Sequence, residues 1–182
     1  MYDQFKIRAE GVSAEVHRFP AQAEALEFLV GFLQSEGMAD RAQHSAVFAA
    51  CPFLNRIDRQ PLDALEGLHF DVTQERAAEA RFGISQMDWA LADTGTLVQD
   101  ATAIDKRLVS TLPTIHIALV ATGSLLPDMP ALLASVEPHK TGYIAMVTGP
   151  SRTADIERVL TIGVHGPERL IIIFVDELGV TN

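Results

Sequence analysis

One cysteine, no cluster of basic residues and no long apolar stretch set the first limits on this chain of 182 residues. A lone Cys51 excludes an internal disulfide, a cysteine-rich zinc site and a self-contained iron–sulfur cluster. It follows an expected strand and precedes Pro52, as a small buried residue at a strand end would; the alternative is a reactive thiol. With 14 basic against 24 acidic residues the net charge is −10. Nucleic-acid binding rests on dense Lys and Arg contacts to phosphate, so neither duplex nor single strand is an expected partner. No apolar run is longer than Leu170 to Val175, far short of a membrane span. The start, Met1-Tyr-Asp-Gln-Phe-Lys6, has no apolar core of signal-peptide type, so a soluble cytoplasmic protein is expected. The six histidines show neither His-Glu-x-x-His nor a pair at i, i+4, and no metal site is expected.

What the chain does have is apolar mass, 48% of its residues, enough for one sizeable domain over residues 1–182. No repeat, low-complexity tract or linker divides it. Phe5 to Phe19 reads as a short helix followed by an extended piece. Pro20 opens a helix from Ala21 to Ser35, with Leu26, Leu29, Val30 and Leu33 as its stripe and Gly37 as its stop. Ser45 to Ala50 is a buried strand, and residues 52–67 are irregular. His69 to Val72 is a short strand, and Thr73 caps an Ala-rich helix over Gln74 to Phe82. Met87 to Ala92 and Thr96 to Gln99 form a hairpin or a kinked strand. Asp100 to Lys106 is a polar loop, and Arg107 to Leu112 is ambiguous. His116 to Val120 is a strand, followed by a helix carrying Met129, Leu132, Leu133 and Val136. Tyr143 to Val147 and Leu170 to Val175 complete the apolar runs. Near-continuous apolar strands alternating with helices imply an α/β layer sandwich with a mostly parallel sheet. Ser45–Ala50, His116–Val120, Ile144–Val147 and Leu170–Val175 are its expected central strands.

Three Thr-Gly turns follow strands: Thr94-Gly95-Thr96, Thr122-Gly123-Ser124 and Thr148-Gly149-Pro150-Ser151. At strand carboxyl ends they would converge on a ligand crevice; Gly would let backbone N–H groups approach and the hydroxyls would add donors. Such residues also simply make turns. The third turn stands out. Ser151 or Thr153 would cap a helix bearing Ile156, Val159, Leu160 and Val164, and Arg152 at that mouth offers a planar fork for a carboxylate or phosphate. The expected binding residues are therefore Thr94, Gly95, Thr96, Thr148, Gly149, Ser151, Arg152 and Thr153. Asp155 would either complement the helix dipole or pair with Arg152. Asp93 is a solvated turn residue or, if partly buried, a general base. His116 and His165 are structural by default, with His165 able to reach the crevice if its turn folds over it. Lys106-Arg107 is a solvated pair or a cationic lid. No Gly-x-Gly-x-x-Gly follows a strand, which leaves a nicotinamide cofactor without support.

Asp93-Thr-Gly-Thr-Leu-Val98, Arg107-Leu-Val-Ser110, Leu112-Pro113, His116-Ile-Ala118, Thr148-Gly-Pro-Ser-Arg-Thr-Ala-Asp-Ile-Glu157 and Gly163-Val-His-Gly-Pro167 together resemble the LUD domain and, more narrowly, the lactate utilization protein C family. The resemblance covers roughly Ile84 to Asp176. Asp93 stands where the family pattern has Glu, which keeps the carboxylate but shortens its reach. The resemblance implies a fold similar to the ribose-5-phosphate isomerase and coenzyme A transferase group. It also implies a part in oxidation of L-lactate to pyruvate, in a system whose partner subunits carry the iron–sulfur clusters while this chain carries no cofactor. A family mechanism does not come with it, so Asp93, Arg152, Asp155 and His165 stand only as catalytic candidates. The chain would then be a subunit binding a small anionic substrate or effector. Alternatively it is a non-catalytic assembly or regulatory subunit, or an independent sugar-phosphate or acyl-CoA enzyme of the same fold.

Overall fold

The computed structural model describes residues 1–137, 139–154, 160–162 and 166–179. In chain order the elements are α1 (Tyr2–Gly11), β1 (Glu15–Phe19), α2 (Gln22–Ser35), β2 (Ala46–Phe48), α3 (Gln60–Asp63), β3 (Leu68–His69), α4 (Gln74–Glu79), β4 (Phe82–Met87), β5 (Trp89–Leu91), β6 (Thr96–Asp100), α5 (Ile104–Thr111), β7 (Ile115–Ala121), β8 (Leu125–Leu126), α6 (Met129–Ser135), β9 (Ile144–Val147), β10 (Arg152–Ala154), β11 (Leu160–Ile162) and β12 (Arg169–Val175). Six strands make one sheet in the order β1-β12-β7-β4-β2-β3, and every neighbouring pair in it is parallel.

Strand alternation divides the core between the two faces of this sheet. Ile115, Ile117 and Leu119 of β7, with Ile171 and Ile173 of β12, pack against Leu26, Leu29 and Leu33 of α2. Ala118 and Val120, with Ile172 and Phe174, face the other way, onto Phe5 and Ala9 of α1 and Leu97 of β6. That second face is covered by a smaller sheet, ordered β8-β5-β6-β9, in which β5–β6 and β6–β9 are antiparallel. Thr73 caps α4 as expected, its Oγ1 accepting from the Arg76 N–H at 3.2 Å. Asp128 caps α6 in the same way, accepting from Ala131 N–H at 3.0 Å. Among the described residues, no helix is long and apolar enough to cross a membrane.

Three expectations are corrected. Ile144–Val147 is not a strand of the parallel sheet but the edge of the smaller one, antiparallel to β6. Its apolar run misled because Tyr143 and Met146 are 52% and 47% exposed. The central strand missed is β4, buried along its whole length. It carries Gly83, Ser85 and Gln86 among its apolar residues, so no continuous apolar run marks it; inside the protein Ser85 Oγ meets His116 and Gln86 Oε1 accepts from Phe53 N–H. The third correction concerns the expected helix after Gly149-Pro150. Arg152–Ala154 is a strand, antiparallel to Leu160–Ile162, with Thr153 opposite Thr161. β-Branched residues at these positions favour extended backbone over helix. Among the described residues no helix begins at Ser151 or Thr153, and the backbone at Arg152 is that of a strand. Asp155, Ile156, Val159, Val164 and His165 lie outside the described residues.

Candidate functional site

The second residue of β7, His116, is polar in an otherwise apolar strand, and it marks the site. His116 is 0% exposed, and burial pushes its imidazole down to a pKa of about 4. It is therefore neutral at neutral pH. Its Nε2 lies 3.0 Å from Ser85 Oγ on β4, and that hydroxyl is itself directed at Met87 Sδ, 3.7 Å away. Nδ1 is buried and has no partner among the described residues.

His116 lines a cavity of about 290 Å³. The cavity lies between the two sheets at the amino-terminal ends of β7 and β12, where His116 and Leu170 form its inner wall. Ser110 and Thr111, at the end of α5, close one side, and the segment from Met146 to Ser151 with Gly166-Pro167 closes the other. Ser151 N–H donates to Pro167 O at 2.8 Å, tying these last two pieces together. Both hydroxyls of α5 donate to Arg107 O, at 3.1 Å from Ser110 and 2.6 Å from Thr111. No Lys, Arg, Asp or Glu is among the lining residues.

The expected site residues divide. Thr148, Gly149 and Ser151 line the cavity, and Thr96 joins them through a 2.8 Å hydrogen bond between its hydroxyl and that of Thr148. Thr94 and Gly95 form the β5–β6 turn, where Gly95 has a φ of +70° and packs on the backbone of α1. Gly149, with φ of +73°, packs on Val12 O just beyond α1. Both glycines thus admit α1 and the turn after it. The remaining turn, Thr122-Gly123-Ser124, is at the far end of β7, where Gly123 and Ser124 line a separate recess with Asp88, Asp100 and Lys140. The three turns therefore do not converge at the strand carboxyl ends. Two of them meet near the amino ends because β5, β6 and β9 run in a second sheet.

Arg152 is exposed, and its Nη2 donates to Val12 O at 2.7 Å and to Ser13 Oγ at 3.3 Å. Because Gly149 meets the same carbonyl, the guanidinium stands at the cavity rim. Asp93 has a buried Oδ1 without a partner among the described residues, while its N–H donates to Pro127 O at 3.1 Å. Lys106 and Arg107 form no lid: Lys106 Nζ donates to Asp100 O, and Arg107 donates to Ala101 O and sits over the Tyr143 ring. Cys51 is half-buried among core residues, and burial raises its thiol to about 11, which fits the packing role better than that of a reactive thiol. Ser85 and Thr111 went unnoticed in the sequence, and Ser110 figured there only as the end of the segment Arg107-Leu-Val-Ser110. The usable signal was His116 itself, a polar side chain inside a strand that must be buried on both faces.

This arrangement, a parallel sheet with a second mixed sheet laid over one face, is that of a crystal structure of a DUF162 family protein from Deinococcus radiodurans. The two superpose with a TM-score of 0.60 over 96% of this chain and 95% of that one, at 21% sequence identity, a likeness of fold. Lactate utilization protein C of Anoxybacillus flavithermus is 34% identical over 131 residues, covering 71% of this chain and 58% of the relative. That of Halalkalibacterium halodurans is 35% identical over 136 residues, with the same coverage. The LUD domain model matches residues 2–175. The chain belongs to the LUD domain family, and the match takes in the N-terminal half as well as the region from Ile84. It spans just under three-fifths of the length of these two relatives.

Proposed function

We propose that this chain serves in lactate utilization as a cytoplasmic subunit that holds a small 2-hydroxy carboxylate in the cavity between the sheets. Electrons would pass to partner subunits bearing iron–sulfur clusters. The observation that carries this reading is the meeting of two separate signature segments, His116-Ile-Ala118 and Thr148-Gly-Pro-Ser151, around one cavity. The names of the relatives supply the substrate class. The carboxylate would lie at the rim, where Arg152 is the nearest cation in sequence to the lining segment, and the hydroxyl end would lie inside. A planar guanidinium can hold a carboxylate through two parallel hydrogen bonds, and an ammonium cannot.

Calorimetric titration with L-lactate, pyruvate and inorganic phosphate tests the reading. Arg152→Lys is expected to weaken carboxylate binding about 10- to 100-fold, the loss of a charge-assisted contact. Its stability should change by no more than about 1 kcal/mol, because the residue is exposed. Unchanged affinity together with a sharply lower Tm would make Arg152 purely a clasp on the turn after α1. Co-purification from cells tests the partner half, with cluster-bearing subunits expected to come down with the chain.

A further inference from the structure

We infer, on the reading of Arg152 as the carboxylate contact, that the carboxyl end of α1 positions that side chain, with Ser13 as the positioning residue.

Helix α1 ends in a closure that ordinarily falls to glycine. Ser13 N–H donates to Glu10 O and Ala14 N–H donates to Ala9 O, both at 3.0 Å, the paired bonds of a Schellman motif. Ala9 and Ala14 meet in the same core cluster, the apolar contact that accompanies such an ending. Ser13 has a φ of +73°, in the left-handed region where a Cβ is a cost and glycine is the common occupant. A serine at this position loses stability unless its hydroxyl is put to use. That hydroxyl accepts from Arg152 Nη2 at 3.3 Å, and the neighbouring Val12 O accepts from the same nitrogen at 2.7 Å.

The end of α1 suits a cation, since its carbonyls form the negative end of the helix dipole. Ala9 O and Glu10 O are taken by the closure, and Val12 O takes the guanidinium. The same carbonyl lies 2.6 Å from the point where a Cβ on Gly149 would stand. The turn that lines the cavity and the guanidinium beyond it are therefore seated on one point of α1. Both contacts of Arg152 fall on Nη2, and among the described residues Nε and Nη1 have no partner. Their N–H groups are left for a ligand. An exposed arginine otherwise spreads over many rotamers, and holding it in one lowers the ordering cost of binding.

Calorimetry at pH 7.5 with L-lactate and with L-lactamide, which has an uncharged amide in place of the carboxylate, tests the inference. Ser13→Gly removes the hydroxyl and suits the left-handed backbone. Its Tm should equal or exceed that of the wild type, while its affinity for lactate falls about 2- to 10-fold. Affinity for lactamide should not change, because a disturbed cavity would weaken both ligands and a misplaced guanidinium only the charged one. Ser13→Asn supplies a side-chain acceptor on a residue that tolerates positive φ, and it should restore lactate binding. In an Arg152→Lys background, Ser13→Gly should have no further effect on lactate. Unchanged lactate affinity in Ser13→Gly, beside weakened binding in Arg152→Lys, overturns the inference and leaves Arg152 as the carboxylate contact. Equal losses for lactate and lactamide, or for Ser13→Asn and Ser13→Gly, overturn it as well. If Arg152→Lys binds lactate as the wild type does, the reading of Arg152 fails and the inference with it.

Discussion

Acidification from pH 6.5 to pH 4 is expected to remove about 3 kcal/mol of folding stability through His116 alone. The folded imidazole is held near 4 by burial, while in the unfolded chain it titrates near its ordinary value of about 6.5. Between these values the unfolded state binds the extra proton, so stability falls as pH falls, at roughly 1.4 kcal/mol per pH unit. About one pH unit above 6.5 both states are neutral and the contribution is complete. His17, also lowered mainly by burial, acts in the same direction, and Asp100 and Asp176, both lowered, add their losses at lower pH. The paired substitution Ser85→Ala with His116→Phe removes the His116 share without stranding the serine hydroxyl. Its denaturation midpoints should therefore fall much less between pH 7.5 and pH 4.5 than those of the wild type. Parallel pH profiles for the two proteins would mean that His116 is not a buried neutral group.

Gly95→Ala should be among the most damaging single substitutions, at about 2–5 kcal/mol. Two costs add. At φ of +70° a residue with a Cβ carries about 1–2 kcal/mol of backbone strain. That Cβ would also stand 2.5 Å from Ala9 N and 2.9 Å from Ala9 Cα, and overpacking against backbone typically costs about 1–3 kcal/mol more. Gly37→Ala separates the two terms. Gly37 has nearly the same backbone, with φ of +79°, but open space where its Cβ would go. It should lose only the strain, so thermal unfolding should place Gly95→Ala well below Gly37→Ala. Equal losses would show that the β5–β6 turn does not clamp α1.

The Gly95 comparison also explains how much of the molecule could be read in advance. The parallel sheet was legible in β7 and β12 because their apolar runs are continuous and buried on both faces. Strand β4 was not, since Ser85 and Gln86 can be buried only with partners that come from distant parts of the chain, His116 and the Phe53 N–H. The Thr-Gly turns were legible as special positions, but their purpose was not. A glycine needed for close approach looks the same in sequence whether it admits a ligand or, as Gly95 and Gly149 do, the backbone of α1 and the turn after it. Arg152 misled for a related reason. Pro150, Ser151 and Thr153 form a plausible helix start locally, and only the pairing of Arg152–Ala154 with Leu160–Ile162 decides against it. Half of the cavity wall was named from the Thr148–Ser151 motif. The other half, His116 with Ser110 and Thr111, comes from the amino end of β7 and the end of α5, which only the tertiary fold brings together.

The central claim is that ligand enters between the sheets at the amino ends of β7 and β12, and not at the strand carboxyl ends. Amide chemical-shift mapping during titration with L-lactate tests it most directly. The account predicts saturable shifts concentrated at Ser110, Thr111, His116, Thr148, Gly149 and Ser151, with little change at Asp88, Gly123 and Ser124. Shifts clustered at Asp88, Gly123 and Ser124, with residues 146–151 unmoved, would contradict it and return the site to the carboxyl ends of the sheet.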